Sequence, residues 1–448
     1  MDTNMNFTSF ILAAGNGKRM KSSIAKPLHP VGGKPMLSWV IETAKAAGSD
    51  KICVVAGTSH SQIDGFIKTY HSDIIIAHQT DPLGTGHAAQ AAQNALSDDS
   101  QPILVLFGDS PLITAETLQR LTNTINDGHD LCILGFEADN PTGYGRLKID
   151  DKGMLAAIIE EADANAEEKD IKLVNAGVMT FSSKIARQTL FQLNNENAQG
   201  EYYLTDLVAL ARAEGAKIGY VIAQEDEVLG VNSRADLARA EGALQHRLRQ
   251  AAMAQGVTLQ APETVFLHAD SIIEPDVTIE PHVVIGRNCH IYEGAVIRAF
   301  SHLEGAIVGH CAIIGPYARL REGSELAEGV KIGNFVETKK AKFEKGAKAN
   351  HLSYIGDAHV GEAANIGAGT ITCNYDGYDK FKTEIGKGAF IGSNSALVAP
   401  VTIGNGAIIG AGSTITKTVS DDDLALTRAP QRNLEKGGAT FRKRKRAT

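Results

Sequence analysis

At 448 residues the chain is too long for one ordinary hydrophobic core, so two or more domains are expected. Its 44 Lys and Arg against 52 Asp and Glu leave a net charge of −8, which argues against nucleic acid as the main partner. Five scattered cysteines, none spaced Cys-x-x-Cys, argue against a disulfide framework or structural zinc and fit a reducing cytoplasm, while the lack of any apolar run of about 18 residues predicts no membrane contact.

Residues 9–31, SFILAAGNGKRMKSSIAKPLHPV, run from a short apolar strand through a glycine turn into a basic stretch holding Lys18, Arg19, Lys21 and Lys26. Met20 stands where a dinucleotide fingerprint needs its third glycine, and no Gly-Lys-Ser/Thr closes a P-loop. Backbone N–H groups of Gly15-Asn16-Gly17, with Lys18, Arg19 and Lys26, suit an anion-binding nest as well as they suit a solvated turn. Further strands are expected at 51–56, 73–77, 103–107 and 131–136, and helices at 35–48, 85–97 and 114–126. This alternation predicts a parallel sheet covered by helices, with ligands held beyond the carboxyl ends of its strands. Gly15 lies at one such end and Gly108-Asp109 at another. Asp109 reads equally as a hard-cation ligand or as a helix N-cap.

A linking helix is predicted over 233–255, and from Pro262 the pattern changes. Apolar residues recur every sixth position at Ile273, Ile279, Ile285, Ile291, Ile297 and Leu303. They resume after a one-residue slip at Val308, Ile314, Leu320, Leu326 and Ile332, and again at Ile385, Ile391, Leu397, Ile403, Ile409 and Ile415. A six-residue period is neither helical nor a simple alternation; it marks a hexapeptide parallel β-helix. Two stretches, 338–350 and 372–384, break the period and are expected to be ejected as loops. Between them lies Asn350-His351-Leu352-Ser353-Tyr354, and Asn374-Tyr375-Asp376-Gly377 follows. A neutral imidazole suits general-base work near pH 7. The basic run Arg442–Arg446 is expected to be a disordered, solvated tail.

Leu12-Ala13-Ala14-Gly15-x-Gly17-x-Arg19-Met20 with Lys26-Pro27 resembles the signature of sugar-1-phosphate nucleotidyltransferases. So do Pro82-Leu83-Gly84-Thr85-Gly86-His87-Ala88, Gly108-Asp109, Gly143-Tyr144-Gly145-Arg146 and Gly230-Val231-Asn232. Joined to hexapeptide repeats, the chain is similar from about Phe7 to about Arg432 to the bifunctional N-acetylglucosamine-1-phosphate uridylyltransferase and glucosamine-1-phosphate acetyltransferase family. The resemblance implies a Rossmann-like α/β domain over 1–232, a linker helix over 233–256 and a left-handed β-helix over 257–448. It implies that Leu12, Ala13, Ala14, Gly15, Arg19, Lys26, Phe107 and Gly108 surround UTP, and that Gln79, Gly84 and Thr85 read uracil. Asp109 and Asn232 would hold Mg²⁺, and Gly145, Glu160 and Asn175 the N-acetylglucosamine part. In the β-helix, His351 would be the base, with Arg321, Lys339, Tyr354, Asn365 and Lys380 on glucosamine-1-phosphate. Ala368, Asn374, Tyr375, Ser393, Ala411 and Arg428 would contact acetyl-CoA, in a homotrimer. The chain departs from the family pattern at Lys18, where threonine is usual, and at Glu322, where proline is usual, which puts a carboxylate beside Arg321. Two alternatives stand beside this reading: a nucleotidyltransferase with a regulatory β-helix, and a non-catalytic assembly subunit.

Overall fold

A computed structural model describes residues 6–15, 17–57, 60–95, 101–151, 153–197 and 200–446. The chain divides into two compact units, Met1–His246 and Arg247–Thr448.

The first unit is built on one sheet. Its strands are β1 (Phe7–Ala13), β2 (Ser49–Ala56), β3 (Ile75–His78), β4 (Ile103–Phe107), β5 (Leu131–Glu137), β6 (Leu173–Phe181) and β7 (Ile218–Ala223), in the order β7-β5-β6-β4-β1-β2-β3. Every residue of β1 is buried, as a central strand covered on both faces requires. It pairs in parallel with β2 and β4, matching the sequence reading. The all-parallel expectation fails at β6, which runs antiparallel to both β4 and β5. The chain passes from β5 to β6 through the antiparallel hairpin Arg146–Ile149/Leu155–Ile159 and not through a crossover helix, so β6 enters from the opposite end. Helices Met36–Ala47, Thr85–Ala95 and Ala115–Asn126 pack apolar faces on the sheet, the last capped by Thr114 Oγ1 accepting from Thr117 N at 3.3 Å.

In the second unit, strands of two to seven residues stack in parallel from one coil to the next. Thr278–Ile279, Val284–Ile285 and His290–Ile291 form three sides of a coil, and Val296–Ile297 returns to pair with Thr278–Ile279. Ile279, Ile285, Ile291 and Ile297 all point inward and are fully buried, so the six-residue period is the period of the prism's sides. The stretch 338–350 is not ejected. Glu337–Phe343 and Lys348–His351 continue the coils, with Thr338, Ala341, Phe343, Ala347 and Ala349 as the buried inward set. Small and polar inward residues hid the repeat there, and Lys340 turns the corner with φ +47°. The insertion between Ile371–Cys373 and Thr383–Ile385 does leave the coil, and Tyr375 bridges Lys380 within it. The C-terminal basic run is also not disordered: Gly437–Arg446 forms a solvent-exposed helix. Among the described residues no helix is long and apolar enough to cross a membrane.

Candidate functional site

The carboxyl ends of β1 and β4 open into a cavity of about 630 Å³ in the first unit. Leu12, Ala13, Ala14, Gly15, Lys26, Gln79, Gly84, Thr85, Phe107, Asp109, Gly145, Glu160, Asn175 and Asn232 all line it. Of the expected nucleotide-site residues Arg19 and Gly108 do not: Arg19 is exposed on the turn Lys18–Met20, and Gly108 supports the wall by donating its N–H to Leu12 O at 3.0 Å. Asn16, the middle of the expected nest, lies outside the described residues.

Three segments far apart in sequence meet at the cavity floor. The Lys26 ammonium donates to the Asp109 carboxylate and to Asn232 Oδ1, the latter at 3.1 Å. Val231 N donates to Asp109 O at 2.9 Å, which ties the Asn232 loop to the end of β4. Two oxygens therefore converge on one cationic position, where the ammonium stands. That donor set fits a hard divalent cation whose remaining ligands are phosphate and water oxygens. Among the described residues no cluster of three or more His, Cys, Asp or Glu could hold a metal ion by itself.

The wall at Gly84 depends on close backbone approach. Gly84 has φ +102°, and a Cβ there would lie 2.6 Å from Tyr202 O. Its carbonyl accepts from Gln79 Nε2 at 2.9 Å, so the buried Gln79 amide is oriented by the loop it faces. On another wall, Asn175 N donates to Gly145 O at 2.8 Å. Arg146, a residue the sequence reading left as part of a motif, is 1% exposed and holds this wall in place. Its guanidinium donates to Tyr144 O and Lys169 O and pairs with Glu161 Oε2 at 2.5 Å. Glu161 in turn accepts from Gly143 N at 3.3 Å, and the arginine holds its carboxyl below the usual range.

The neighbouring Glu160 behaves oppositely. Burial pushes its carboxyl up, the Thr205 hydroxyl pulls it partly back, and Asp163 and Asp206 push it further up. The native state then binds the proton more tightly than the unfolded chain, so Glu160 costs stability as pH rises from its unfolded value through its folded one. Glu160→Gln is expected to raise the melting temperature of the first unit at pH 7.5, with the gain vanishing near pH 4, below about the ordinary glutamate value. Thermal melts at the two pH values check this, and an unchanged midpoint at pH 7.5 contradicts it.

In the second unit, Arg319, Glu337, Tyr354 and Ile371 stack on one side of successive coils. Arg321 leaves the same side and pairs with Glu337 Oε1 at 2.7 Å. Glu337, not the adjacent Glu322, is thus the carboxylate that engages Arg321. Sequence reasoning missed it because the partners are 16 residues apart, close to one coil. Asn365 lies on a different side of the coils, in register with Lys348 and Phe390. Lys380 sits on the extruded loop, exposed. Four of the expected acetyl-CoA residues form a continuous strip: Asn394 N donates to Ala368 O at 2.7 Å, Gly412 N to Ser393 O at 2.8 Å, and Arg428 Nη1 to Ala411 O at 2.7 Å. Asn374 turns inward to donate to Asp357 Oδ2, whereas Tyr375 stays exposed with its hydroxyl on Gly377 O at 2.6 Å. His351 is exposed on the corner between two sides, and its Nδ1 lies 2.7 Å from Asn334 Oδ1.

Residues 9–197 match the MobA-like NTP transferase domain, and residues 264–299 and 382–417 match bacterial transferase hexapeptide repeats, which build left-handed β-helices. The chain is 52% identical over 432 residues to the bifunctional protein GlmU of Azorhizobium caulinodans, covering 96% of each chain. Its identity to the protein of that name from Rhodopseudomonas palustris is 54% over 440 residues, covering 98% of this chain and 97% of the relative. With the Zymomonas mobilis protein of that name it is 47% identical over 448 residues, all of both chains. Two domains of the expected kinds, in this order and aligned end to end with these relatives, show that the chain belongs to the GlmU family of bifunctional uridylyltransferases and acetyltransferases.

Proposed function

We propose that the second unit acetylates glucosamine-1-phosphate with His351 as base, and that the cavity of the first unit then joins the product to UTP, with Asp109 and Asn232 holding Mg²⁺. Nucleotidyltransferases of this family use a divalent metal. The observation that carries the reading is the convergence of Asp109, Asn232 and Lys26 at the floor of a cavity large enough for a nucleotide.

In the second unit the sugar amine attacks the thioester carbon. The N–C bond forms and the nitrogen's proton passes to the imidazole; the C–S bond then breaks, and coenzyme A leaves as a thiolate that takes up that proton as the thiol. Arg321 and Lys339 supply positive charge for the sugar phosphate, and Glu337 holds the Arg321 guanidinium. The strip from Ala368 to Arg428 offers backbone groups along which an extended pantetheine arm can lie. The second unit is taken to act in a homotrimer, the assembly hexapeptide β-helix domains typically adopt.

In the first unit a phosphate oxygen of N-acetylglucosamine-1-phosphate attacks the α-phosphorus of UTP in line, and pyrophosphate leaves. A divalent cation held by Asp109 and Asn232 would neutralise phosphate charge. Lys26 is free to turn from Asp109 to a phosphate oxygen, and Gly145, Glu160 and Asn175 orient the sugar. Chelation with EDTA is expected to stop pyrophosphate release and leave thiol release from acetyl-CoA unchanged.

Parallel assays of the two half-reactions test the assignment. His351→Ala is expected to lose thiol release by about 10³-fold while releasing pyrophosphate from UTP at the wild-type rate. Normal acetylation by His351→Ala would remove the proposed base.

A further inference from the structure

His351 has two ring nitrogens, and only one can take the amine's proton. Its strand, Lys348–His351, pairs in parallel with Lys331–Asn334 one coil earlier, which sets Asn334 directly opposite His351. The corner is pinned on both sides of the ring. Leu352, at φ +50°, donates its N–H to Asn334 O at 3.0 Å, and Ser353 Oγ donates to His351 O at 2.8 Å. Within this frame Nδ1 lies 2.7 Å from Asn334 Oδ1, whereas Nε2 has no hydrogen-bond partner among the described residues. An amide oxygen only accepts, so Nδ1 carries the proton in this contact and the neutral ring keeps its lone pair on Nε2.

We infer that Asn334 is a positioning residue for acetyl transfer: it fixes His351 as the Nδ1–H tautomer and aims Nε2 at the sugar amine. This rests on the reading of His351 as base. The choice of asparagine matters, because an amide fixes the tautomer without adding charge. The remaining groups around the ring come from the flanking coils and the next side. Lys331 lies on the preceding strand and Lys348 on His351's own strand, the following coil offers Asn365 and Ala368, and Tyr354 opens the next side. His351 is in no ion pair among the described residues.

Asn334→Leu removes the acceptor while keeping the branched shape, and Asn334→Asp keeps an acceptor but makes it anionic. Both are assayed in the full-length protein for thiol release across pH, with KM for glucosamine-1-phosphate as the check that the site is intact. Asn334→Leu is expected to lower kcat about 100-fold with KM within about twofold, the loss typical of a removed outer partner. Asn334→Asp is expected to keep kcat within about tenfold, with the acidic limb of its pH profile displaced upward by about one unit, because a carboxylate favours the imidazolium. A merely structural role would lower both variants without moving the limb. The inference is overturned if Asn334→Leu stays within about threefold of wild type, or if both variants fall alike with the limb unmoved. His351→Ala separates this from the underlying assignment: if it is inactive while Asn334→Leu is unimpaired, only the tautomer inference falls.

Discussion

Asp109→Ala is expected to cut pyrophosphate release from UTP by about 10³-fold or more. The substitution removes one of the two oxygens that define the cation position and leaves the half-buried Lys26 ammonium with Asn232 Oδ1 alone. On the proposed assignment two losses then coincide: the cation loses the Asp109 carboxylate, and an under-compensated lysine remains in the cavity floor. Asp109→Asn separates them, since it keeps the shape and the second oxygen but not the charge. It is expected to fall between wild type and alanine and to regain rate at high metal concentration. Thiol release from acetyl-CoA should be untouched in both variants, because Asp109 belongs to the first unit. Pyrophosphate release above about a tenth of wild type in Asp109→Ala would show that the metal is held elsewhere.

The second large effect concerns stability. A Cβ on Gly333 would lie 1.9 Å from the carbonyl oxygen of Asn350 and 2.6 Å from its carbonyl carbon. Both are backbone atoms of the next coil, held by the pairing of Lys331–Asn334 with Lys348–His351, so neither can swing aside. Gly333→Ala must therefore pry two coils apart immediately before Asn334 and His351. We expect about 3 kcal/mol lost from the second unit, at the upper end for overpacking, and at least a tenfold loss of acetyl transfer. A urea titration of the second unit's transition together with the thiol assay checks both. Gly346→Ala is the contrast: unlike Gly333 it has positive φ, +69°, and nothing lies within 4 Å of its Cβ, so it carries backbone strain without the clash. Equal losses in the two variants would refute the steric account.

The period-six residues were legible because each inward position asks for one bulky aliphatic side chain, and Ile279, Ile285 and Ile291 answer every time. Where Thr338, Ala341 and Ala349 took that role, the period vanished from the sequence although the coils continue. Inward positions need volume only in sum across a layer, and Phe343 supplies much of it locally. In the first unit the strands β1, β2 and β4 were legible as apolar runs, but the direction of β6 was not, because direction depends on the hairpin that precedes it and not on its own residues. The cavity residues were legible through motif resemblance. Arg146 with Glu161, Arg321 with Glu337, and Asn334 with His351 were not, because each pair forms only when the fold brings its partners side by side.

The stacked coils of the second unit also act as a ruler. Along one side, strands at Thr258, Thr278, Val296, Ile313, Lys331 and Lys348 follow one another in five steps. Neighbouring strands are spaced by about 4.8 Å, so the His351 coil stands about 24 Å along the prism from that side's first strand. Because each coil touches only the one before and the one after, the distance is set by how many coils are counted out, and the shape of the site by its immediate neighbours. Length and chemistry are therefore separately adjustable in this half of the molecule: inserting one whole coil before Ile313 would carry the acetyl-transfer residues outward by a strand spacing while leaving every contact among them as it is.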